Sequence, residues 1–353
     1  MENSCGADPQ IHAEHGLSFY VETEKHKLLV DTGQSDLTWE NAGWLGVDLS
    51  SVDLAILSHG HYDHSGGLLT FAARYPGVPI WLKDSAGGPY YSRKTGREEY
   101  IGIDQRLLAL PQLHFTAGDC QIDEELSLYS DVTGRILWPA GNRVLLRKVG
   151  AHTETLPMAQ FGAGDCCVSQ TESECLEQNI MADICISRAQ SGTEKIYGKR
   201  EQSGTEKISD GCEQSSIGKM SNDREQNGTE DVSGDAVYVQ DDFAHEQYLV
   251  IRQRQDYYLF SGCAHNGIIN ILARFREIYG CDPKAVFSGF HMMKNGLYED
   301  EDIARVRQTA EILAGSSTHF YTGHCTGEEA YGIMKEILGP QLHHLHAGDI
   351  FDI

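Results

Sequence analysis

The chain of 353 residues lacks long apolar runs and an excess of basic charge. No stretch approaches the roughly 18 to 20 consecutive apolar residues of a membrane span, although 40% of the residues are hydrophobic. Lys and Arg number 28 against 52 Asp and Glu, which gives a formal net charge of -24. Nucleic-acid binding depends on a basic surface, so we expect no nucleic-acid partner and no membrane partner.

A secretory signal and a cysteine framework are also missing. The first ten residues, MENSCGADPQ, contain neither the basic segment nor the apolar segment of a signal peptide, so we expect a cytoplasmic location. Ten cysteines are scattered along the chain without a CxxC pair. This spacing argues against a disulfide framework or a zinc ribbon and predicts reduced thiols.

Residues 162–235 differ in composition from the rest of the chain. They are rich in Ser, Gly, Glu, Gln and Lys, and a twelve-residue unit recurs from Ser191 (SGTEKIYGKREQ), Ser203 (SGTEKISDGCEQ) and Ser215 (SSIGKMSNDREQ). Each unit offers too few apolar residues to build a stacked core. We therefore predict a single domain over residues 1–353 that carries a disordered, low-complexity insertion at 162–235.

Both flanks of this segment show alternating strand and helix patterns, which are typical of an α/β protein. The predicted strands are 17–21, 27–30, 52–57, 237–240, 248–251, 257–261, 285–287, 319–322 and a last one in QLHHLH. Five helices are predicted. Two have only a predicted start, after Asp36 and near Asp300, and three have predicted bounds: Asp63 to Tyr75, Gly267 to Tyr279 and Glu328 to Leu338. One domain assembled from both flanks is the simplest interpretation.

The segment Ser58–Gly67, SHGHYDHSGG, directly follows the apolar strand VDLAIL. Residues two apart on an extended segment project to the same side, so His59 and His61 can bind one ion. Asp63 and His64 follow at the predicted start of a helix and offer half of a second site. A solvated histidine-rich loop is the alternative, but three histidines and an aspartate within six residues favour a metal centre.

The HxHxDH pattern resembles that of the metallo-β-lactamase superfamily. Further segments, AEHGLSFYVE, LVDTGQS, FSGCAHNGIINIL, FSGFHM and YTGHCTG, are similar to its subgroup named after 7,8-dihydropterin-6-methyl-4-(β-D-ribofuranosyl)aminobenzene-5'-phosphate synthase. The resemblance implies a four-layer αβ/βα sandwich, with two mixed β-sheets flanked by helices. It also implies one or two divalent ions, with zinc expected first and iron or manganese as alternatives.

Two further histidines follow apolar strands, where α/β proteins place their functional residues. His265 is expected to complete the ion site of His59 and His61. The superfamily's chain order implies that His324 completes the site of Asp63 and His64.

Three features leave alternatives open. Many superfamily members have a bridging aspartate where this chain has Cys263, which is either a ligand or a packed thiol. His245 is the alternative to His265 as the third histidine. His291 is a candidate substrate contact or proton donor, and Asp31 is expected to hydrogen-bond a metal-binding histidine.

These residues predict a metal-dependent hydrolase that uses a metal-bound hydroxide on a phosphate ester or a related bond of a small-molecule substrate, with phosphorylated molecules as candidates. Asp63 and His291 are the predicted catalytic residues. The alternatives are a pterin-related synthase like the subgroup's namesake, a di-iron redox protein, and a non-catalytic metal-binding or regulatory protein. A local basic patch, for which Lys83, Arg93, Lys94 and Arg97 are the candidates, is expected to offset the acidic charge near a phosphate substrate.

Overall fold

The computed structural model describes residues 1–150, 236–294 and 296–353. The predicted insertion at 162–235 lies outside these residues and stays a prediction, as does the single-domain boundary. Within the described ranges, no helix is both long enough and apolar enough to cross a bilayer.

The described residues form three sheets. The strands are β1 (Phe19–Glu22), β2 (Lys27–Val30), β3 (Leu54–Ile56), β4 (Ile80–Lys83), β5 (Tyr90–Ser92), β6 (Glu99–Tyr100), β7 (Leu113–Thr116), β8 (Cys120–Gln121), β9 (Leu126–Tyr129), β10 (Leu145–Val149), β11 (Val237–Gln240), β12 (Tyr248–Gln253), β13 (Asp256–Ser261), β14 (Ala285–Ser288), β15 (His319–Thr322) and β16 (Leu342–His344). A five-stranded sheet has the order β1-β2-β3-β4-β7, and a seven-stranded sheet has the order β16-β15-β14-β13-β12-β9-β8. A smaller sheet has the order β11-β10-β5-β6.

Helices cover the outer faces of the two large sheets. They are α1 (Leu37–Trp44), α2 (Tyr62–Ser65), α3 (Leu68–Arg74), α4 (Ile268–Tyr279), α5 (Asp300–Leu313) and α6 (Glu328–Leu338). Short 3-10 turns lie between them, and one of these, Ala140–Val144, leads into β10.

Three apolar clusters define the layers. Leu28, Ile56, Leu249 and Phe260 belong to the cluster between the two large sheets. Alternate strand residues belong to the outer clusters, with Leu29 packing on the α3 side and Leu259 on the α4 to α6 side. Alternation of this kind is what a strand buried on both faces requires. The predicted four-layer αβ/βα sandwich is confirmed.

One predicted helix is wrong in its bounds. The sequence predicts a continuous helix from Asp63 to Tyr75, but the chain forms α2 and α3, which Gly66 and Gly67 separate. Both glycines touch neighbouring backbone closely: a Cβ at Gly66 would lie 2.1 Å from the Gln34 carbonyl oxygen. The break ends helix α2 at Ser65, and this short helix carries Asp63 and His64.

Candidate metal centre

The candidate site lies at the carboxyl ends of four strands in the two large sheets. Strand β3 pairs in parallel with β2 and β4, and β13, β14 and β15 pair in parallel with one another. The segments that follow them carry the predicted histidines: Ser58–His64 after β3, Gly262–His265 after β13, Gly289–His291 after β14 and Gly323–His324 after β15. Residues far apart in the chain therefore meet at one end of the sandwich.

His59, His61 and His265, called the first cluster below, are buried side by side. His59 Nε2 lies 3.0 Å from His61 Nδ1, and ligand atoms of all three residues lie within 4.8 Å of one another. Two nitrogens bound tetrahedrally to one zinc at about 2.0 to 2.1 Å would be about 3.3 Å apart. The observed spacing fits a shared ion.

Burial keeps the first cluster uncharged. It is the main cause that lowers the pKa of His61 to about 3, and with the neighbouring histidines it lowers the pKa of His59 and of His265 well below the ordinary value. Neutral imidazoles keep the lone pair that a metal ligand needs. His265 Nε2 and His61 Nε2 are buried without a hydrogen-bond partner among the described residues, and such orphaned atoms need a physical explanation.

Oxygen atoms hold the other ring nitrogens in place. Ser58 Oγ lies 2.9 Å from His59 Nδ1, and Asn142 Oδ1 lies 3.0 Å from His265 Nδ1. Asp31 accepts from Ser58 Oγ at 2.7 Å and lies 2.6 Å from His64 Nδ1. A partner on Nδ1 fixes the ring orientation and directs Nε2 into the centre. The expected contact of Asp31 with a histidine of the centre is therefore present.

Asp63, His64 and His324, called the second cluster below, lie beside the first. Asp63 Oδ2 is 3.4 Å from His324 Nε2 and 3.8 Å from His64 Nε2. Asn3 Oδ1 lies 2.8 Å from His324 Nδ1, and Glu2 accepts a hydrogen bond from the His324 backbone N–H. Side chains at the start of the described chain thus orient a histidine near its other end.

His15, which the sequence did not indicate as a site residue, also belongs to this end of the sandwich. Its Nε2 lies 3.2 Å from Asp63 Oδ2, and it forms a compact group with Asp63 and His324. The only signal was its place in the AEHGLS segment, directly before β1. A single histidine at a strand start gave no reason to place it beside Asp63.

The charges of the second cluster support each other. Burial opposes ionisation of Asp63, but His64 and hydrogen bonds from His15 and His324 hold the pKa of its carboxyl well below the usual range. Burial also lowers the pKa of His324, but the hydrogen bond to Asp63 and nearby negative groups raise it overall to about 9. Asp63 is therefore an ionised oxygen donor at neutral pH.

Two thiols, Cys263 and Cys325, lie beside the two clusters. Cys263 Sγ lies 3.2 Å from His64 Nε2, and it is within 4.8 Å of a ring nitrogen of both His59 and His64. Cys325 Sγ accepts from the His291 backbone N–H at 3.3 Å, and Cys263, His291 and Cys325 form a further compact group. Cys263 is thus placed at the centre rather than in a core away from it.

His245 differs from His265 in how its ring is used. Its Nδ1 accepts from the Gly60 backbone N–H at 3.0 Å, and its Nε2 lies 3.2 Å from Asp241 Oδ2. One of its ring nitrogens also lies within 4.8 Å of a ring nitrogen of His61 and a carboxylate oxygen of Asp241. Because both of its nitrogens already have partners while His265 Nε2 has none in the described ranges, the geometry favours His265 as the third histidine.

His291 closes the other side of the first cluster. Its ring lies 4.2 Å from that of His265, centroid to centroid. Its Nδ1 is buried without a partner among the described residues. A Cβ at Gly141 would lie 3.0 Å from His291 Nε2, so the segment before β10 approaches this ring closely. His291 is placed for contact with a bound molecule.

A cleft of about 610 Å³ opens onto both clusters. His61, Asp63, His265, His291 and His324 line its floor, as do both thiols. Its basic lining residues are Lys94, Arg143, Lys294 and Arg305.

The predicted basic patch is therefore mostly wrong, because only one of its four residues lines this cleft. Lys83 is buried, donates to the Ala117 carbonyl and lies 3.5 Å from Asp131. Arg93 pairs with Glu98, and Arg97 is exposed outside the cleft. Lys94 alone lines it, and sequence reasoning missed Arg143.

Comparison with known proteins gives one consistent fold. Residues 13–136 match the sequence model of the metallo-beta-lactamase superfamily. The chain is similar over 99% of its length to the 7,8-dihydropterin-6-methyl-4-(beta-D-ribofuranosyl)-aminobenzene-5'-phosphate synthase of Methanocaldococcus jannaschii, with 22% identity and 93% of that relative covered. An uncharacterized protein of the same organism is 33% identical over 28% of this chain and 37% of its own length.

A crystal structure of a metal-dependent hydrolase of the beta-lactamase superfamily has the same architecture. It superposes with a TM-score of 0.62 at 24% identity and covers 100% of this chain and 96% of its own. At this identity the likeness establishes the fold and leaves the reaction to the site.

Proposed function

The chain has the metallo-β-lactamase fold, and from this premise we propose that it is a metal-dependent hydrolase of a phosphate ester or a related bond in a small molecule. The observation that carries the proposal is the first cluster, three buried neutral imidazoles that point ring nitrogens at one place. His265 Nε2 is buried without a hydrogen-bond partner among the described residues, which is costly, and a cation shared with His59 Nε2 and His61 Nδ1 would satisfy it.

The donor set fits a borderline-soft divalent metal. Three imidazoles suit zinc, and a carboxylate with two imidazoles also suits iron or manganese. In this proposal His59, His61 and His265 hold one ion, and Asp63, His64 and His324 hold a second. Cys263 Sγ, 3.2 Å from His64 Nε2, is an additional soft donor for the second ion.

A divalent ion at such a centre supplies an activated water near neutral pH and polarises the substrate oxygen. The chain's own residues supply orientation and proton handling. Asp63 lines the cleft and is ionised, so its carboxylate can orient the attacking water or accept its proton. His291 lies beside His265 and faces the cleft, where it can donate a proton to the leaving oxygen.

A second candidate is a synthase that joins pterin-related and ribosyl-aminobenzene precursors. It is favoured by the similarity to the archaeal synthase, which spans 99% of this chain. The 22% identity is too low to carry a substrate across. The same metal ligands would serve either reaction, so the candidates are separated by substrate rather than by metal content.

The test is metal analysis of the purified full chain, with turnover of bis-p-nitrophenyl phosphate measured before and after chelation. We expect activity to disappear with the metal, to return with zinc, iron or manganese, and to be lost in the variants H59A and H265A. His319 provides the matched control, since it is an exposed histidine paired with His343 on another edge of the sheet. H319A is expected to keep full activity.

Other outcomes would redirect the proposal. Metal binding without turnover across a panel of phosphate and carboxylate esters would favour the non-catalytic class. Turnover only with the two pterin-synthase precursors would favour the second candidate. An iron chromophore that bleaches on reduction would favour the redox class.

A further inference from the structure

Two cations that line the cleft, Lys94 and Arg143, lie just beyond the paired ends of β5 and β10. Strands β5 and β10 pair antiparallel, with Leu145 opposite Ser92. The pairing continues beyond the strand ends, because the Arg93 backbone N–H donates to the Val144 carbonyl at 2.8 Å. Lys94 follows in the turn after Arg93, and Arg143 lies in the 3-10 turn Ala140–Val144 before β10; both side chains line the cleft.

The two cations differ from the other basic residues of the cleft. Lys294 lies 2.6 Å from Asp302, and Arg305 lies 3.6 Å from Glu301, so the charges of the opposite wall are paired. Neither Lys94 nor Arg143 makes an ion pair with any residue that the structure describes. An anion bound in the cleft would give both side chains a partner, in a chain whose net charge is -24.

Glu99, an acid of the neighbouring strand β6, makes no ion pair with Lys94 or Arg143. Glu99 lines the cleft on β6, opposite Ser92. Its carboxylate accepts the Thr95 hydroxyl at 2.7 Å and pairs with no described cation. The positive charge of the wall therefore stays available to a ligand.

The segment that presents Arg143 also touches the candidate metal centre. Asn142, the preceding residue, hydrogen-bonds His265 through both its side-chain oxygen and its side-chain nitrogen. Gly141 packs against His291. An anion held by Arg143 would thus be bound next to the residues that orient His265 and His291.

We propose that Arg143 and Lys94 form an anion subsite that binds a phosphate group of the substrate. The proposal rests on the hydrolase function proposed above and adds the residues that select a phosphorylated substrate. Arg143 provides a planar fork that can donate two parallel hydrogen bonds to phosphate oxygens, and Lys94 adds a compact charge with three donors.

The test is calorimetric titration of the full chain with inorganic phosphate, comparing wild type with the double variant K94Q/R143Q. Removing two charge-assisted contacts is expected to raise the Kd for phosphate by roughly tenfold or more. Arg97 provides the matched control, because it is a cation of the same loop that is exposed outside the cleft. R97Q is expected to stay within about twofold of wild type, a difference well under 1 kcal/mol.

Titration with acetate tests the class of anion, since a single carboxylate cannot match the three oxygens of phosphate. Tighter binding of phosphate than of acetate supports the proposal, and equal binding overturns the phosphate assignment. An unchanged Kd in K94Q/R143Q, or an equal loss in R97Q, overturns the subsite.

Binding and turnover separate this inference from the function on which it rests. If no ester is hydrolysed but phosphate affinity depends on Lys94 and Arg143, the hydrolase proposal fails and the subsite stands. If metal-dependent turnover is found and phosphate affinity is unchanged in the double variant, the hydrolase proposal stands and the subsite fails.

Discussion

Asn142 offers the sharpest test of how the centre is built. Its side chain is fully buried, its Oδ1 lies 3.0 Å from His265 Nδ1, and its Nδ2 donates to the His265 carbonyl at 2.7 Å. The variant N142A would free the imidazole to rotate and would leave both His265 groups without these partners. Loss of such an outer contact typically weakens metal binding by about 10 to 100-fold, or about 1.4 to 2.8 kcal/mol.

A stability loss accompanies this effect and must be separated from it. Each buried group left without a partner costs about 1 to 3 kcal/mol, which a domain of ordinary stability can absorb. Asn270 is the matched control: it is also buried, and it hydrogen-bonds the Ile136 backbone at 2.9 and 3.0 Å without contacting a histidine of the centre. N270A should lose similar stability but keep its metal affinity.

The assay is competition for zinc against a chromophoric chelator, with urea unfolding of the same proteins in parallel. We expect weaker zinc binding in N142A alone and a lower free energy of unfolding in both N142A and N270A. It would be refuted if N142A bound zinc as tightly as wild type while its stability fell, because ring orientation would then not depend on this contact. Equal zinc losses in N142A and N270A would also refute it.

Three further predictions follow from the same geometry. N3A removes the 2.8 Å contact to His324 Nδ1 and should lower the metal content measured by mass spectrometry toward one ion per chain, with the first cluster still occupied. H245Q should keep wild-type metal content, because both ring nitrogens of His245 already have protein partners, whereas H265Q should lose metal. Acid should destabilise the protein from which a chelator has removed the metal. Burial lowers the pKa of the three histidines of the first cluster, so below about pH 6.5 the unfolded chain takes up protons that the folded chain does not. At pH 5 the loss is about 2 kcal/mol for His61, whose pKa is lowered to about 3, and His59 and His265 add to it in the same direction; a free energy of unfolding that stays constant between pH 7 and pH 5 would contradict this.

Much of the fold could be predicted because its strands and helices carry strong local patterns. Strands β2, β11 and β15 and helix α6 have the predicted bounds. The short strands between residues 80 and 149 could not be predicted, since they have two to five residues each and depend on pairing with distant partners. The break at Gly66 and Gly67 arises from close contact with Gln34 and Thr32, which no local pattern reveals.

The candidate site divides in the same way. His59, His61 and Asp63 share one short motif, and His265 and His324 each follow an apolar strand, so sequence reasoning could find them. Their supporting residues come from elsewhere. Asn3 and Asn142 hold ring nitrogens across sequence separations of 321 and 123 residues. An isolated asparagine has no signature that distinguishes it from a turn residue, and only the packed structure identifies its role.

Unfavourable features concentrate at this end of the sandwich. Eight non-glycine residues in the described ranges have positive φ. Four of them lie at the centre, with φ from 48° to 58°: Asp31, Ala264, His291 and His324. Such backbone costs about 1 to 3 kcal/mol per residue, and ring nitrogens buried without a partner among the described residues add to it. The rest of the fold, with three well-buried apolar clusters, offsets these costs. A cation between the histidines would satisfy the buried ring nitrogen of His265, and an anion on Lys94 and Arg143 would pair with their positive charges. The two proposed ligands would therefore stabilise neighbouring parts of the same cleft.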